Sequence, residues 1–301
     1  MNNKDFNLLI VGYGAIGKLV SNISNANLKK TFIYTGRSKV AIGRKDIYSF
    51  HGDLSSIFEI ELNNLENLKV VYCVGPDKFE GFSRDEFLNY AYHIPTKFLS
   101  FLNESSLKKV KFIHLSTMIG FDDEEIQPTT SSRMKVLFND DPYVEAKKKL
   151  DVFIEDFKSL KVSCVNLRLS NLITSDHKTS QRKILLRLAK KISRGEKVSL
   201  VEDAHIDIIS EIQLLNAVKY EISNEESNIS KNVVNQKSFN LCELYDEYIK
   251  LHDDNLLSGS YEIIKDNKKK IIPRYMSAYP DNKIESVCPF CGVGCRTEVS
   301  V

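Results

Sequence analysis

The sequence predicts an α/β fold: a doubly wound parallel sheet covered by helices on both faces, with a smaller C-terminal lobe. Three observations carry this reading. Short apolar runs alternate with helix-like segments through the first half of the 301 residues. The runs are rich in β-branched and aromatic residues and nearly continuous in apolarity, as strands buried on both faces are. A glycine-rich turn also separates the first run from the first helical segment, close to the N-terminus.

Taken in order, "NLLIVG" at residues 7–12 is a strand ending in glycine, and "AIGKLVSNISNA" carries apolar residues at helical spacing. "TFIYTG", "IYSFHGDL" and "LKVVYCVG" are the second, third and fourth strands. "FLNYAYHIPTKFLSFLNES" reads as a long helix that has to accommodate Pro95. "KVKFIHLST" is the fifth strand, "DPYVEAKKKLDVFIEDFKSL" a strong helix and "VSCVNLRLS" the sixth strand. Such alternation builds βαβ units and hence a parallel sheet.

Hydrophobic content of 42% and charged content of 27% describe an ordinary soluble globular protein. The net charge of +2, from 42 basic and 40 acidic residues, gives no field to recruit nucleic acid or membrane. No signal-peptide hydrophobic region opens the chain, and no run approaches the roughly 20 apolar residues of a membrane span. The cytoplasm is the expected location, where the six cysteines are expected as free thiols or metal ligands.

"GYGAIG" puts Gly12, Gly14 and Gly17 in G-x-G-x-x-G order. The first glycine permits a tight turn, the second lets backbone approach a pyrophosphate, and the third allows close helix packing. Ala15 and Ile16 supply backbone amides at the helix start. Lying between a strand and a helix makes the match far more specific than the motif alone, against the competing reading of a turn that binds nothing. These features point to a Rossmann-like dinucleotide-binding domain over residues 1–172. After it come a substrate-binding lobe over 173–287, with segments near 200–240 open to returning to the sheet, and a cysteine-rich tail over 288–301.

The second strand ends in "TGRSK", so Arg37, Ser38 and Lys39 stand where a carboxylate would hold the ribose hydroxyl of NAD. Cationic and hydroxyl groups suit a 2′-phosphate, which favours NADP and leaves NAD open; a plain basic turn is the alternative. "HGDL" places Asp53, with Leu54 beside it, where the carboxylate could accept from an adenine amino group, in competition with a turn-capping role. Tyr143 and Lys147 in "PYVEAK" share their spacing with Tyr261 and Lys265 and with Tyr279 and Lys283, so spacing alone does not single them out.

The order of features does. The glycine turn, "GDL", "HLST", "PYVEAK" and "LRLSN" follow one another as in the extended short-chain dehydrogenase/reductase family of NAD(P)-dependent epimerases, dehydratases and reductases, which the chain resembles over about residues 6–240. "HLSTMIGFDD" is most similar to the dTDP-4-dehydrorhamnose reductase branch. The resemblance implies that Thr117 is the substrate-binding hydroxyl and Tyr143 and Lys147 the catalytic pair. It also implies that Lys147 binds the nicotinamide ribose and that His205 and Asp207 fall in a later motif; the fourth strand, however, ends in "YCVGP" instead of the family's alanine-rich turn, so Gly75 and Pro76 are expected to shape the nicotinamide site differently. A nucleotide-linked sugar is the implied substrate, and a homodimer through the helices near 85–103 and 143–160 fits the family.

Elementary chemistry supports the pair. Residues i and i+4 share a helix face. A nearby ammonium and an oxidised nicotinamide both favour phenolate over a phenol that otherwise titrates near pH ~10. Tyr143 then exchanges a proton with a carbonyl oxygen, and Thr117 holds that oxygen.

Several residues depart from the family pattern. Val11 replaces the first glycine of the usual G-x-x-G-x-x-G, and Tyr92 stands about where a helix asparagine supports a proton relay. Asp151 takes the place of a frequent glutamate. Arg182, Arg187 and Arg194 could meet a nucleotide diphosphate or simply be solvated. In the tail, Cys288, Cys291 and Cys295 resemble the start of the iron–sulfur segment of molybdopterin-dependent oxidoreductases. The sequence as given shows three cysteines where such a site takes four, so a truncated fusion, a three-cysteine or intersubunit metal site and an unmetallated tail are the readings, and no bound metal is the expected one.

The leading expectation is NADP-dependent reduction of a keto group on a nucleotide-activated sugar. An epimerase with retained NAD(P) is the first alternative, and a non-catalytic dinucleotide-binding sensor or assembly subunit the second.

Overall fold

The computed structural model describes residues 5–35, 47–75 and 83–118 (apart from 51, 61, 63 and 64), 142–174, 194, 197–201, 205–235 (apart from 225–227) and 238–251, and the short segments 261–264, 285–287 and 296–298. The arginine-bearing turn at 37–39, the 175–193 segment with Arg182 and Arg187, and the three tail cysteines lie outside the described residues.

Two compact units form, and the chain crosses between them more than once. The first unit takes the described residues up to Met118, then 142–169 and 213–232. Its centre is a seven-stranded sheet of β1 (Phe6–Val11), β2 (Leu28–Tyr34), β3 (Ile47–Phe50), β4 (Asn67–Tyr72), β5 (Lys109–Thr117), β6 (Val162–Leu169) and β10 (Ile229–Val233). The order is β10-β6-β5-β4-β1-β2-β3, and the five pairs from β3 across to β6 are parallel. Strand order therefore reverses at β1 and β4. In open α/β sheets the crevice outside the carboxyl ends of such strands is where ligands bind.

The strands form where the apolar runs predict. Leu8, Leu9, Ile10 and Val11 are all 1% exposed or less, so β1 is covered on both faces. Helices α1 (Ala15–Val20), α2 (Arg84–Leu88), α3 (Ile94–Glu104), α4 (Pro142–Asp156) and α5 (Glu211–Ser223) belong to the same chain order. One core layer joins Leu9, Val11, Val70, Tyr72 and Phe112 of the sheet to Phe98 and Leu102 of α3 and Leu150 and Ile154 of α4. The buried stripe of α4 runs Val144, Lys147, Leu150, Asp151 and Ile154. Two charged residues thus occupy positions that helical periodicity reserves for the core.

Pro95 has a structural answer. The chain does not run as one α-helix through it: α2 passes into a π-helical segment, Asn89–His93, and α3 restarts with Pro95 in its first turn. Proline lacks an amide donor and crowds the preceding turn, so the widened π turn absorbs what an α-helix could not. Tyr92 lies in this π segment. At the far edge, Asn228 adopts φ +57° and donates its amide to the Cys164 carbonyl at 2.6 Å, which aligns β10 beside β6.

The second unit holds residues 170–212 and the described residues from Val233 onward. Here β7 (Asn171–Leu172), β9 (His205–Ile209) and β11 (Ser238–Asn240) form one sheet, with β9 parallel to β7 and antiparallel to β11. Strand β8 (Val198–Val201) pairs in parallel with β12 (Tyr261–Ile264), and β13 (Glu285–Val287) is antiparallel to β14 (Arg296–Glu298). Asn240 opens α6 (Leu241–Leu251), its side-chain oxygen accepting from the amides of Cys242 and Glu243. Among the described residues no helix is long and apolar enough to cross a membrane.

Candidate active site

The glycine turn sits at the carboxyl end of β1. Gly12 has φ +95°, and an added Cβ would lie 2.7 Å from the Val74 side chain and 3.2 Å from its backbone nitrogen. Gly17 is more constrained still: its Cβ would fall 2.0 Å from the Gly12 carbonyl oxygen, so α1 packs directly on the turn. Gly14 is the opposite case, exposed and with nothing within 4 Å of an added Cβ. Ala15 and Ile16 follow it, half-buried, at the start of α1. The Gly12 amide donates to Tyr34 of β2, and the Cys73 amide donates to Val11, which gathers the ends of β1, β2 and β4 around the turn.

Asp53 is exposed, and its side chain accepts from the Leu54 amide at 2.8 Å, capping the 3-10 turn Leu54–Glu59. The Tyr34 hydroxyl donates to the Asp53 carbonyl at 2.6 Å and lies 2.7 Å from the Ser56 hydroxyl. Leu54 is buried beneath this turn.

Tyr143 and Lys147 stand one turn apart near the start of α4. The Tyr143 ring is half-buried and meets Phe87 of α2 edge to face, with centroids 6.5 Å apart. Lys147 is buried, and its ammonium donates to the Leu115 carbonyl at 3.1 Å and lies 3.3 Å from His114 Nε2. It also reaches the end of β4, where a Cβ on Gly75 would be 3.5 Å from Nζ. Burial pushes the Lys147 ammonium down to about 8, against the pull of Asp151 and Cys73. Thr117, the last residue of β5, is buried. Strand alternation puts it on the face opposite Ser116, whose hydroxyl turns to α4.

Around this pair lies a buried polar network that the family pattern did not flag. His114 Nδ1 is 2.7 Å from the Asn166 side-chain oxygen. Ser116 donates to one Asp151 oxygen at 3.0 Å, and Arg168 Nε donates to the other at 2.9 Å. Arg168 also pairs with Glu155 at 3.4 Å. Burial pushes the Asp151 carboxyl up, while Arg168, Ser116 and Asn166 draw it back. Arg168, the arginine of "LRLSN", is wholly buried and turned onto α4. One signal could have found this network: His114, Ser116, Asn166 and Arg168 are polar residues at alternating positions of otherwise apolar strands.

In the second unit, buried Asp207 accepts from Ser170 Oγ at 2.5 Å and from the Asn235 amide, and its carbonyl accepts from Asn171. These bonds tie the residues following β6 and β10 to β9. Among the described residues no group of three or more histidine, cysteine, aspartate or glutamate side chains could hold a metal ion.

Comparison with known proteins agrees with this architecture. No curated protein matches the sequence significantly. Among solved structures, the UDP-N-acetylglucosamine 4-epimerase of Methanobrevibacter ruminantium superposes with a TM-score of 0.70 at 14% identity, covering 91% of this chain and 89% of that one. The Bordetella bronchiseptica enzyme WbmH gives 0.69 at 12% identity, with the same coverages. The dTDP-glucose 4,6-dehydratase of Bacillus anthracis gives 0.66 at 14%, covering 91% and 88%. At such identity these structures establish the shared fold. The family model for NAD-dependent epimerases/dehydratases matches residues 17–208, well over half of the sequence, and the chain belongs to that enzyme family.

Proposed function

We propose that the chain reduces a keto group on a nucleotide-activated sugar with NADPH, through Thr117, Tyr143 and Lys147. The observation that carries this reading is the pairing on α4. Tyr143 is one turn from a buried ammonium that sits against Gly75, at the point where strand order reverses. Space beside Gly14 and the close backbone turn at Gly12 and Gly17 fit a dinucleotide pyrophosphate. Bound, the nicotinamide supplies the hydride. Lys147 binds its ribose and favours the phenolate of Tyr143, Tyr143 gives the proton to the carbonyl oxygen, and Thr117 holds that oxygen by a hydrogen bond. Arg37 favours the phosphorylated cofactor by its charge and Ser38 by its hydroxyl. Asp53, already capping its turn, has its second oxygen left for the adenine, with Leu54 packed behind it.

A second reading, epimerisation with a retained NAD, draws on the family and on the similar structures. The Bordetella and Bacillus structures hold NAD, and the Methanobrevibacter and Bacillus enzymes are named for a UDP- and a dTDP-linked sugar. The same three residues serve both, because an epimerase withdraws and returns hydride at one carbon. Self-association through α3 and α4 is part of the proposal. Phe58, Phe101 and Phe153 line a groove with Lys97 and Glu104 on that side of the first unit.

Fluorescence titration with NADPH and NADH tests the cofactor. Micromolar NADPH binding with much weaker NADH binding is expected. Equal or tighter NADH binding, or NAD carried through purification, favours the epimerase. Tyr143→Phe should keep dinucleotide binding and lose roughly 10²–10⁴-fold in turnover of nucleotide keto sugars. Unchanged turnover would sink the catalytic assignment.

A further inference from the structure

The buried lysine of α4 is held by a group to which the resemblance assigned no role. Asn166 fixes that group's protonation. Its amide nitrogen donates to Ser230 Oγ at 3.3 Å, and its side chain also hydrogen-bonds the Asp151 carboxylate, which can only accept. The amide oxygen is therefore the end that faces His114 Nδ1 at 2.7 Å. An oxygen there requires a donor, so the proton sits on Nδ1 and Nε2 carries a lone pair. That lone pair faces the Lys147 ammonium at 3.3 Å.

We infer that neutral His114 is a positioning residue: its Nε2 accepts from Lys147 and, with the Leu115 carbonyl, aims the ammonium at Gly75 and the cofactor side of the sheet. This rests on the reading of Lys147 as the dinucleotide-binding lysine. It also accounts for Tyr92 in place of the relay asparagine, since the lysine takes its support from β5 instead of the helix containing residue 92. Tyr72 of β4 and Asn166 of β6 flank the imidazole, while Cys73 and Asp151 flank the ammonium. His114 is fully buried, and burial together with Lys147 holds its imidazole well below the usual histidine range.

The first test needs no ligand. In ¹⁵N spectra of the full chain, His114, assigned among six histidines by loss of its signal in His114→Gln, should show the Nδ1-protonated tautomer. Its Nε2 resonance should move as Lys147 titrates near 8. An Nε2-protonated or cationic imidazole at pH 7.5 overturns the inference. The second test is NADPH titration. His114→Phe keeps ring volume but removes the acceptor, and should weaken binding about tenfold, whereas His114→Gln, which retains an acceptor, should stay within about threefold. Equal affinity in wild type and His114→Phe also overturns the inference. If wild type binds no dinucleotide, the reading of Lys147 fails, and the imidazole spectrum alone then decides the His114 contact. The same spectrum decides if His114→Phe does not fold.

Discussion

Gly14 and Gly17 share one short turn and are held to different standards by their surroundings. At Gly17 a methyl group would meet backbone oxygen at 2.0 Å, and backbone cannot swing aside as a side chain can. Gly17→Ala should therefore cost about 1–3 kcal/mol of stability, with dinucleotide binding lost as the turn opens. At Gly14 a methyl group meets nothing within 4 Å. Gly14→Ala should leave stability within about 0.5 kcal/mol of wild type and weaken NADPH binding alone. Urea unfolding beside NADPH titration on both variants separates the roles, and matching losses from the two would show that the turn is only structural. Gly17 was legible in the sequence because a steric demand leaves one residue type, and Gly14 because its place in the motif marks where a pyrophosphate approaches. His114 was not, since its meaning depends on Asn166 and Lys147, 52 and 33 positions away.

At the scale of elements, α4 is fastened to the sheet by charge as well as by apolar packing. Asp151 and Arg168 are both fully buried and bonded at 2.9 Å, with Ser116 completing the carboxylate. A buried ion pair adds little net stability over apolar residues of similar size, yet removing one partner strands the other charge. Asp151→Asn should accordingly cost about 3–5 kcal/mol, and the double variant Asp151→Leu, Arg168→Met markedly less than the sum of its parts. Urea midpoints for the two singles and the double decide it, and additive losses would contradict the coupling. The strands and α4 itself could be read from periodicity. The break at Asn89–His93 could not, because Pro95 signals that a helix must adjust without saying how. The sequence left a segment near 200–240 open to returning to the sheet, but not which residues do so, because the place of β10 depends on Asn228 reaching Cys164, 64 positions earlier in the chain.

At the scale of the whole molecule, a neutral histidine in the core makes folding itself depend on pH. The folded pKa of His114 is depressed, so its contribution is fully present above the unfolded value near ~6.5 and is lost as pH falls through that value. By pH 5 the unfolded chain has taken up a proton that the folded chain refuses, a loss of about 2 kcal/mol. Asp151 works the other way, since its raised folded pKa favours the folded state on acidification. The two contributions overlap, and the acid limb of wild type alone does not separate them. Comparing wild type with His114→Gln does, because Asp151 is common to both and Lys147 stays charged throughout this range. In urea unfolding from pH 7 to pH 5, the variant should gain about 2 kcal/mol on wild type as the pH falls. A difference that stays constant would mean that His114 takes a proton in the fold as readily as in the open chain. The buried imidazole could not then be the neutral acceptor on which Lys147 rests.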